Sequence, residues 1–582
     1  MDKAILSGNE AIARGFYEAG GHFASAYPGT PSTEILENMA QYAEIQSQWA
    51  PNEKVALEVA SGAALGGARS LAAMKHVGLN VAADPLFSMS YQGVNGGIVI
   101  VSADDPSMHS SQNEQDNRWY ARSAKIPMLE PSDSQEAKQF TIAALDISEQ
   151  FDTPVLLRTT TRVNHSKSVV LLNKRATIEK KQYQKQFAKN VLLPMNARKK
   201  HVLVEQRLIN LEDYANECPW NGIEWGDKSL GIITSGISYQ YVKEVFPHAS
   251  ILKLGLSHPL PKKLVRQFAG QVEKLFVIEE LDPFLEEQIA AMGIPVEGKN
   301  RLPNIGELNA DIISRAFNSK ISPEESVLKD VPIPPRPPVL CPGCSHRGIF
   351  YAMKRLKLTV MGDIGCYTLA AIPPLEIMDT CICMGASVTY AEGVEKATGD
   401  ALKGKLIGVI GDSTFYHSGI TGLIDIVYNE GKTKICILDN QITAMTGHQE
   451  NPGSGLTLKN ESTNKVDLEA LCRAIGIKRV VKVDPYNIKE TIAILKEEMA
   501  ADEPSVIIAD APCIIRARKV FNEPYAVDPE KCIMCGMCHK VGCPAIEKDE
   551  NGKTKINDLL CIGCDICRQV CKPQAIQKPI GD

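Results

Sequence analysis

The sequence predicts an α/β chain of several domains that ends in a compact, cysteine-dense module. Three observations carry this: a strand–helix–strand pattern between Lys405 and Asn440, a second alternation of strand and helix between Leu230 and Glu280, and eight of the 17 cysteines confined to residues 532–571. At roughly 100–200 residues per domain, a chain of 582 residues holds about three to five domains. The formal charge of −6 and pI near 6.1 lack the basic bias of nucleic-acid binding, so no such partner is expected. The N-terminus MDKAILSGNEAIARGFYEAG carries charges where a signal peptide needs an apolar core, and no stretch reaches 18 apolar residues. A cytoplasmic chain without membrane attachment is expected.

In chain order, residues 1–175 form a first α/β domain that closes with the strand TPVLLRTTTRV. Within it, WAPNEKVALEVASGAALGGARS puts Glu53 at a helix start, followed by small residues (Ala60, Gly62, Ala63, Gly66, Gly67) that permit close backbone packing. The polar, Lys-rich stretch from Asn173 to Lys200 reads as a connector. LGIITSGISYQYVKEVF, ILKLGL and KLFVIEE then alternate strand and helix, giving an α/β domain over 201–325. VPIPPRPPVL, from Val331, is a stiff linker. In the next domain, 340–520, LIGVI and KICILD read as buried parallel strands joined by a crossover helix in SGITGLIDIVYNEG. Gly411-Asp412-Ser413 then falls at the carboxyl end of one strand and Asp439-Asn440 at the end of the next, where open α/β sheets bind ligands. Hard oxygen ligands from Asp412 and Asn440 suit one Mg²⁺, with positions left for diphosphate oxygens.

The last module, 525–582, is dominated by thiols. In a chain expected to be cytoplasmic, clustered cysteines point to metal and not to disulfides. Cys561, Cys564, Cys567 and Cys571, with Pro573 two residues on, nearly match the bacterial ferredoxin spacing. Cys532, Cys535, Cys538 and Cys543, with Pro544, carry one extra residue before the last cysteine. The first three of each set recur 29 residues apart, as in a pseudo-symmetric two-cluster module. With the fourth ligand crossing over, Cys532, Cys535, Cys538 and Cys571 are expected to hold one 4Fe-4S cluster, and Cys561, Cys564, Cys567 and Cys543 the other. Paired zinc sites are the competing reading, but zinc gains nothing from the third close cysteine and the proline of each run.

The stretch Gly411 to Asn440 resembles the thiamine diphosphate (TPP) fingerprint, with Ser413 in place of the usual third glycine and Asp439-Asn440 as the closing pair. The resemblance implies Mg²⁺ held by Asp412, the Asn440 side chain and the Ile442 carbonyl, with Gly411 and Ser413 at the cofactor. It also implies an activating carboxylate from another α/β domain, for which Glu53 is the choice and Glu58 the runner-up; either can equally be a favourable charge in a first helical turn.

Further motifs extend the likeness along nearly the whole chain: AYPGTPSTEI from Ala26, NEKVALEVASGA from Asn52, MKHVGLNVAADP from Met74, DDPSMHSSQNEQDNR from Asp104, CPGCSHR from Cys341 and GDIGCYTL from Gly362. Together with the cysteine runs, they resemble the alpha subunits of indolepyruvate ferredoxin oxidoreductases, within the 2-oxoacid:ferredoxin oxidoreductases. The fold so implied is that of a multidomain thiamine-diphosphate enzyme: pyrimidine-binding domain (1–175), transketolase C-terminal-like domain (201–325), diphosphate-binding domain (340–520) and ferredoxin-like domain (525–582). The activity implied is oxidative decarboxylation of aryl 2-oxoacids, indolepyruvate or phenylpyruvate, to acyl-coenzyme A and CO₂ with reduction of ferredoxin. A smaller beta subunit completes the enzyme, as an αβ heterodimer paired into (αβ)₂. Tyr27 to Ser32 is implied to face the substrate, with Thr30 as hydrogen-bond donor to the 2-oxoacid. A non-oxidative TPP-dependent decarboxylase would not need the cysteine tail, and a pure electron carrier would leave Gly411 to Asn440 unused.

Cys341, Cys344, Cys366 and Cys513 form a candidate third 4Fe-4S site. Relatives in the wider family hold a proximal cluster with a similar ligand order. Cys381 or Cys383 can replace one of the four, and ordinary buried thiols are the competing reading. His109, His346, His417 and His448 are candidate acid–base groups, His448 foremost because its loop follows Asn440.

Overall fold

The computed structural model describes residues 2–317, 332, 334, 336–517, 521 and 523–578. The domain ends expected at 325, 520 and 582, and the start of the linker at Val331, lie outside the described residues. The chain divides into two compact units, Met1–Pro332 and Ile333–Asp582.

The first unit is built on a seven-stranded sheet in the order Leu256–His258, Met128–Leu129, Val155–Thr160, Ile98–Asp104, Ser70–Lys75, Phe23–Ala26, Gln46–Trp49. All neighbours are parallel except the Leu256–His258 edge, which pairs antiparallel with Met128–Leu129. Its central strands are buried along their whole length, which is why each carries a continuous apolar stretch without alternation, such as IVIV and VLL, before polar residues at its carboxyl end. A second sheet orders Leu275–Ile278, Asp227–Ser235, Ala249–Leu254 and Asn221–Glu224. The expected connector is only partly one. Pro194, at the first helical position, opens the helix Pro194–Glu217, which runs across the boundary placed at 201 and buries Val204, Leu211 and Ala215 along one side. Six of the nine lysines and arginines between Asn173 and Lys200 precede this helix, and only Arg198, Lys199 and Lys200 are on it.

Residues 201–317 are bound to the first sheet by more than one edge strand. Arg118 meets Asp116 at 2.6 Å and Glu279 at 2.5 Å, and its guanidinium donates to the carbonyls of Glu280 and Asp282 at 2.7 and 2.9 Å. Beside it Arg158 bridges Asp104 (2.9 Å) and Glu130 (3.1 Å). These groups are buried, so removing one partner strands a charge at a cost of about 3–5 kcal/mol.

The second unit carries a five-stranded, all-parallel sheet ordered Thr359–Met361, Leu406–Gly411, Lys434–Asp439, Ser505–Asp510, Arg479–Val483. Its two faces fill separate cores. Ile407, Val409, Cys436, Leu438 and Ile507 point to one, Ile410, Ile435, Ile437, Val506 and Ile508 to the other, as the period of two along a strand requires. The crossover helix starts earlier than Ser418: a helical turn begins at Asp412, passes through a π-turn over Phe415–Gly419 and continues as Ile420–Tyr428. The cysteine-rich segment forms two small antiparallel ladders, Ala526–Val527 with Ile576–Gln577 and Ile546–Lys548 with Thr554–Ile556. Among the described residues, no helix is long and apolar enough to cross a membrane.

Candidate cofactor and cluster sites

In the first unit, Asn52 caps the helix Glu53–Leu65 by accepting from Val55 N, which seats Glu53 at its first position, 5 % exposed. Gly78 makes room for it: a Cβ there would lie 2.6 Å from Glu53 Oε1. Glu58 is on the open face, paired with Lys54 at 2.5 Å. Of the small residues that follow, Gly67 is the one that close approach demands, with φ +94° and the Lys181 carbonyl 1.7 Å from where a Cβ would sit; Gly62 and Gly66 are exposed.

Lys75 ends the strand Ser70–Lys75 next to this carboxylate. Burial pushes its pKa down to about 8 against the opposing charges of Asp105 and Glu53, and its ammonium donates to the Ser110 carbonyl at 2.6 Å. The loop Tyr27–Ser32 lies over it, with the Gly29 Cβ position 3.2 Å from Lys75 Cβ. Two buried asparagines, Asn9 and Asn164, donate to the Pro31 carbonyl at 2.8 and 3.1 Å, and Ser110 Oγ donates to the Thr30 carbonyl at 3.4 Å. Thr30 is half-buried within this anchored loop.

In the second unit, Asp412 is 2 % exposed at the mouth of the parallel sheet. Burial, and next the charge of Asp439, push its pKa up to about 7; Asp439 is raised to about 6 by burial and then Asp510. A buried carboxyl with a second one beside it stays ionised at neutral pH only with a cation nearby, a role that Mg²⁺ fits. The surrounding groups are set for this. Asn451 donates to Asp412 Oδ2 at 3.0 Å, Ser413 Oγ and Thr443 Oγ1 are 2.8 Å apart, and Ile442 N donates to Asn440 Oδ1 at 3.2 Å. On the neighbouring strand end, Asp363 accepts from Gly385 N and Ser387 N at 3.0 and 2.9 Å, holding the N-terminus of the helix Ala386–Thr398 at the same edge. Asn451, Lys75 and Asp363 are absent from the sequence-based site; only Lys75 and Asp363 fall inside motifs that could have flagged them.

The thiols gather as two constellations. Cys341, Cys344, Cys366 and Cys513 act on one another electrostatically; burial, then neighbouring groups including these thiols, push Cys344 up to about 12 and Cys366 to about 11. Cys381 and Cys383 have Asp363 and each other as neighbours instead. In the tail, Cys543, Cys561, Cys564 and Cys567 line one small apolar cavity, while Cys571 is the thiol acting on Cys538. Thiols this buried and this close cannot ionise together without cations among them, which iron supplies. Among the described residues, no three His, Cys, Asp or Glu side chains close on the position of a single ion. Cys513 N also donates to the Asn440 carbonyl at 2.9 Å, so the first constellation is hydrogen-bonded to the start of the loop that follows the strand Lys434–Asp439.

The histidines are dispersed. His109 is half-exposed, 3.3 Å from Glu307; His346 is buried against the edge of Tyr367 and held down to about 4; His417 Nδ1 is 2.5 Å from Ser418 Oγ. His448, with φ +69°, follows the turn beyond Asn440.

The family described as "Pyruvate flavodoxin/ferredoxin oxidoreductase, thiamine diP-bdg" matches residues 14–216, and "Thiamine pyrophosphate enzyme, C-terminal TPP binding domain" matches 363–509. The chain is similar to the indolepyruvate oxidoreductase subunit IorA of Archaeoglobus fulgidus, 42 % identical over 99 % of this chain and 97 % of that one. The same subunit of Methanothermobacter thermautotrophicus is 41 % identical, covering 100 % and 98 %, and that of Thermococcus kodakarensis 39 %, covering 99 % and 97 %.

Proposed function

The chain belongs to the IorA family of indolepyruvate oxidoreductase subunits, within the thiamine-diphosphate-dependent 2-oxoacid:ferredoxin oxidoreductases, and on that premise we propose that it oxidatively decarboxylates aryl 2-oxoacids to acyl-coenzyme A. Bound thiamine diphosphate supplies an electron sink for loss of CO₂, and iron–sulfur clusters supply one-electron acceptors for the two electrons released per 2-oxoacid. The chain's own residues hold and orient these groups. Asp412, the Asn440 side chain and the Ile442 carbonyl take Mg²⁺, with Gly411 and Ser413 at the diphosphate. Glu53 holds a proton at a pyrimidine ring nitrogen, and Thr30 donates to the 2-oxoacid. Cys532, Cys535, Cys538 and Cys571 take one 4Fe-4S cluster, Cys543, Cys561, Cys564 and Cys567 another, and Cys341, Cys344, Cys366 and Cys513 a third. A smaller beta subunit and ferredoxin complete the reaction.

The hydrogen bond from Cys513 N to the Asn440 carbonyl carries this reading, because it joins a cysteine constellation to the diphosphate loop. A simple decarboxylase has no use for clustered thiols beside that loop, and an electron carrier has no use for Asp412.

The test is ferredoxin reduction by the chain with its beta subunit, across aryl, branched and short 2-oxoacids, with and without coenzyme A. Fastest turnover on aryl substrates, dependent on coenzyme A, is expected; CO₂ release without ferredoxin reduction would sink the oxidoreductase. Iron analysis should give about twelve irons per chain for three clusters. About eight, unchanged in Cys341→Ser/Cys344→Ser, removes the third cluster.

A further inference from the structure

Between the two constellations of the second unit lies one guanidinium. Arg347, three residues after Cys344, is 2 % exposed. Its hydrogen bonds all end on backbone carbonyls, and they divide between two loops. Nε donates to the Cys341 carbonyl at 3.0 Å and Nη2 to that of Leu340; Nη1 donates to Val541 at 3.3 Å and to Gly542. Burial works against its charge, and the ionisable groups that support it are thiols from both sides, Cys543 and Cys564 in the tail, Cys344 and Cys341 before it.

The cysteine spacing acquires a physical reason here. The residue that the first tail run has in excess lies in the turn His539–Val541, which ends at Gly542 with φ +72°. That left-handed residue turns its carbonyl onto Arg347, and a Cβ on it would sit 3.2 Å from Nη1. On the facing loop, Gly343 has φ +65°, and a Cβ there would meet Ile562 at 2.1 Å and Cys564 Cβ at 3.7 Å. Both glycines let the Cys341–Cys344 loop press on the tail.

A buried guanidinium whose hydrogen bonds end on neutral carbonyls keeps its positive charge uncompensated, so it favours whichever neighbouring redox state is more negative. A cluster gains one negative charge on reduction, so a fixed cation beside it raises its potential. We propose that Arg347 is a positioning residue for electron transfer, locking the Cys341–Cys344 loop to the Cys543–Cys564 loop and raising the reduction potential of the clusters on both sides. This rests on the cluster assignment above.

The experiment is an EPR-monitored redox titration of the αβ enzyme, wild type and Arg347→Gln, with iron counted on the same samples. The cluster whose signal changes in Cys535→Ser serves as internal reference. Expected is full iron in both proteins and a fall of about tenfold or more in the reduction equilibrium of the two near clusters, about 59 mV for a one-electron couple, with the reference cluster moving less. Equal movement of all three clusters, or none, overturns the proposal while leaving the cluster assignment intact. About eight irons in the wild type overturns the assignment and the proposal with it. If Arg347→Gln loses iron, Arg347→Lys decides: with the charge kept, near-wild-type potentials are expected, and a tenfold fall in the near clusters despite that charge overturns the proposal.

Discussion

Asp412→Ala is expected to leave the enzyme without thiamine diphosphate or Mg²⁺, and without activity, while its iron content stays at the wild-type value. Asp412 is the one charged member of the proposed metal ligands, and its carboxylate is buried next to Asp439, where burial already pushes it up to about 7. Removing it deletes the attraction that makes a divalent ion worth dehydrating there, several kcal/mol and so a fall in turnover of about 10³-fold or more. Asn440→Ala should lose affinity less severely, because it removes a neutral ligand. Thiamine released on denaturation, metal analysis and iron analysis of one preparation are the measurements. Wild-type cofactor content in Asp412→Ala would put the diphosphate site elsewhere.

Glu53→Gln should behave in the opposite way, keeping its cofactor and losing turnover by about 10²–10⁴-fold, the range in which general acid–base groups contribute. The amide fills the space that Gly78 leaves for the side chain, so folding and binding persist, but it cannot stabilise a protonated ring nitrogen as a carboxylate does. Glu58→Gln should be silent, since Glu58 is on the open face with Lys54. Normal turnover in Glu53→Gln with loss in Glu58→Gln reverses the assignment.

The strand ends that carry Asp412 and Asn440 were readable because parallel strands covered on both faces read as near-continuous apolar runs, as LIGVI and the ICIL of KICILD do. The thiols were readable because their spacing repeats. What lay hidden was held by distance or by composition. Asn451 reaches Asp412 from 39 residues away, through a loop whose path no periodicity encodes. The strand Leu256–His258 is three residues long, too short to alternate visibly, and the first turns of the helix Pro194–Glu217 were hidden at the end of a Lys-rich run that begins at Asn173. Arg347 stood in plain view within CPGCSHR, yet nothing local marks an arginine whose partners are carbonyls from residues 340 to 542.

The edge strand Leu256–His258 has a consequence for biosynthesis. The sheet it completes is otherwise made from residues 23–160, so on the ribosome the backbone donors and acceptors of Met128–Leu129 stay unpaired on one side until residue 258 has emerged. At about 5–20 residues per second, the ~130 intervening residues hold that edge open for roughly 6–26 s. An open edge next to a buried apolar sheet is a template for pairing with another nascent chain. A fragment ending at residue 175 would keep that edge for its whole lifetime, and is expected to aggregate where one ending near residue 317 does not.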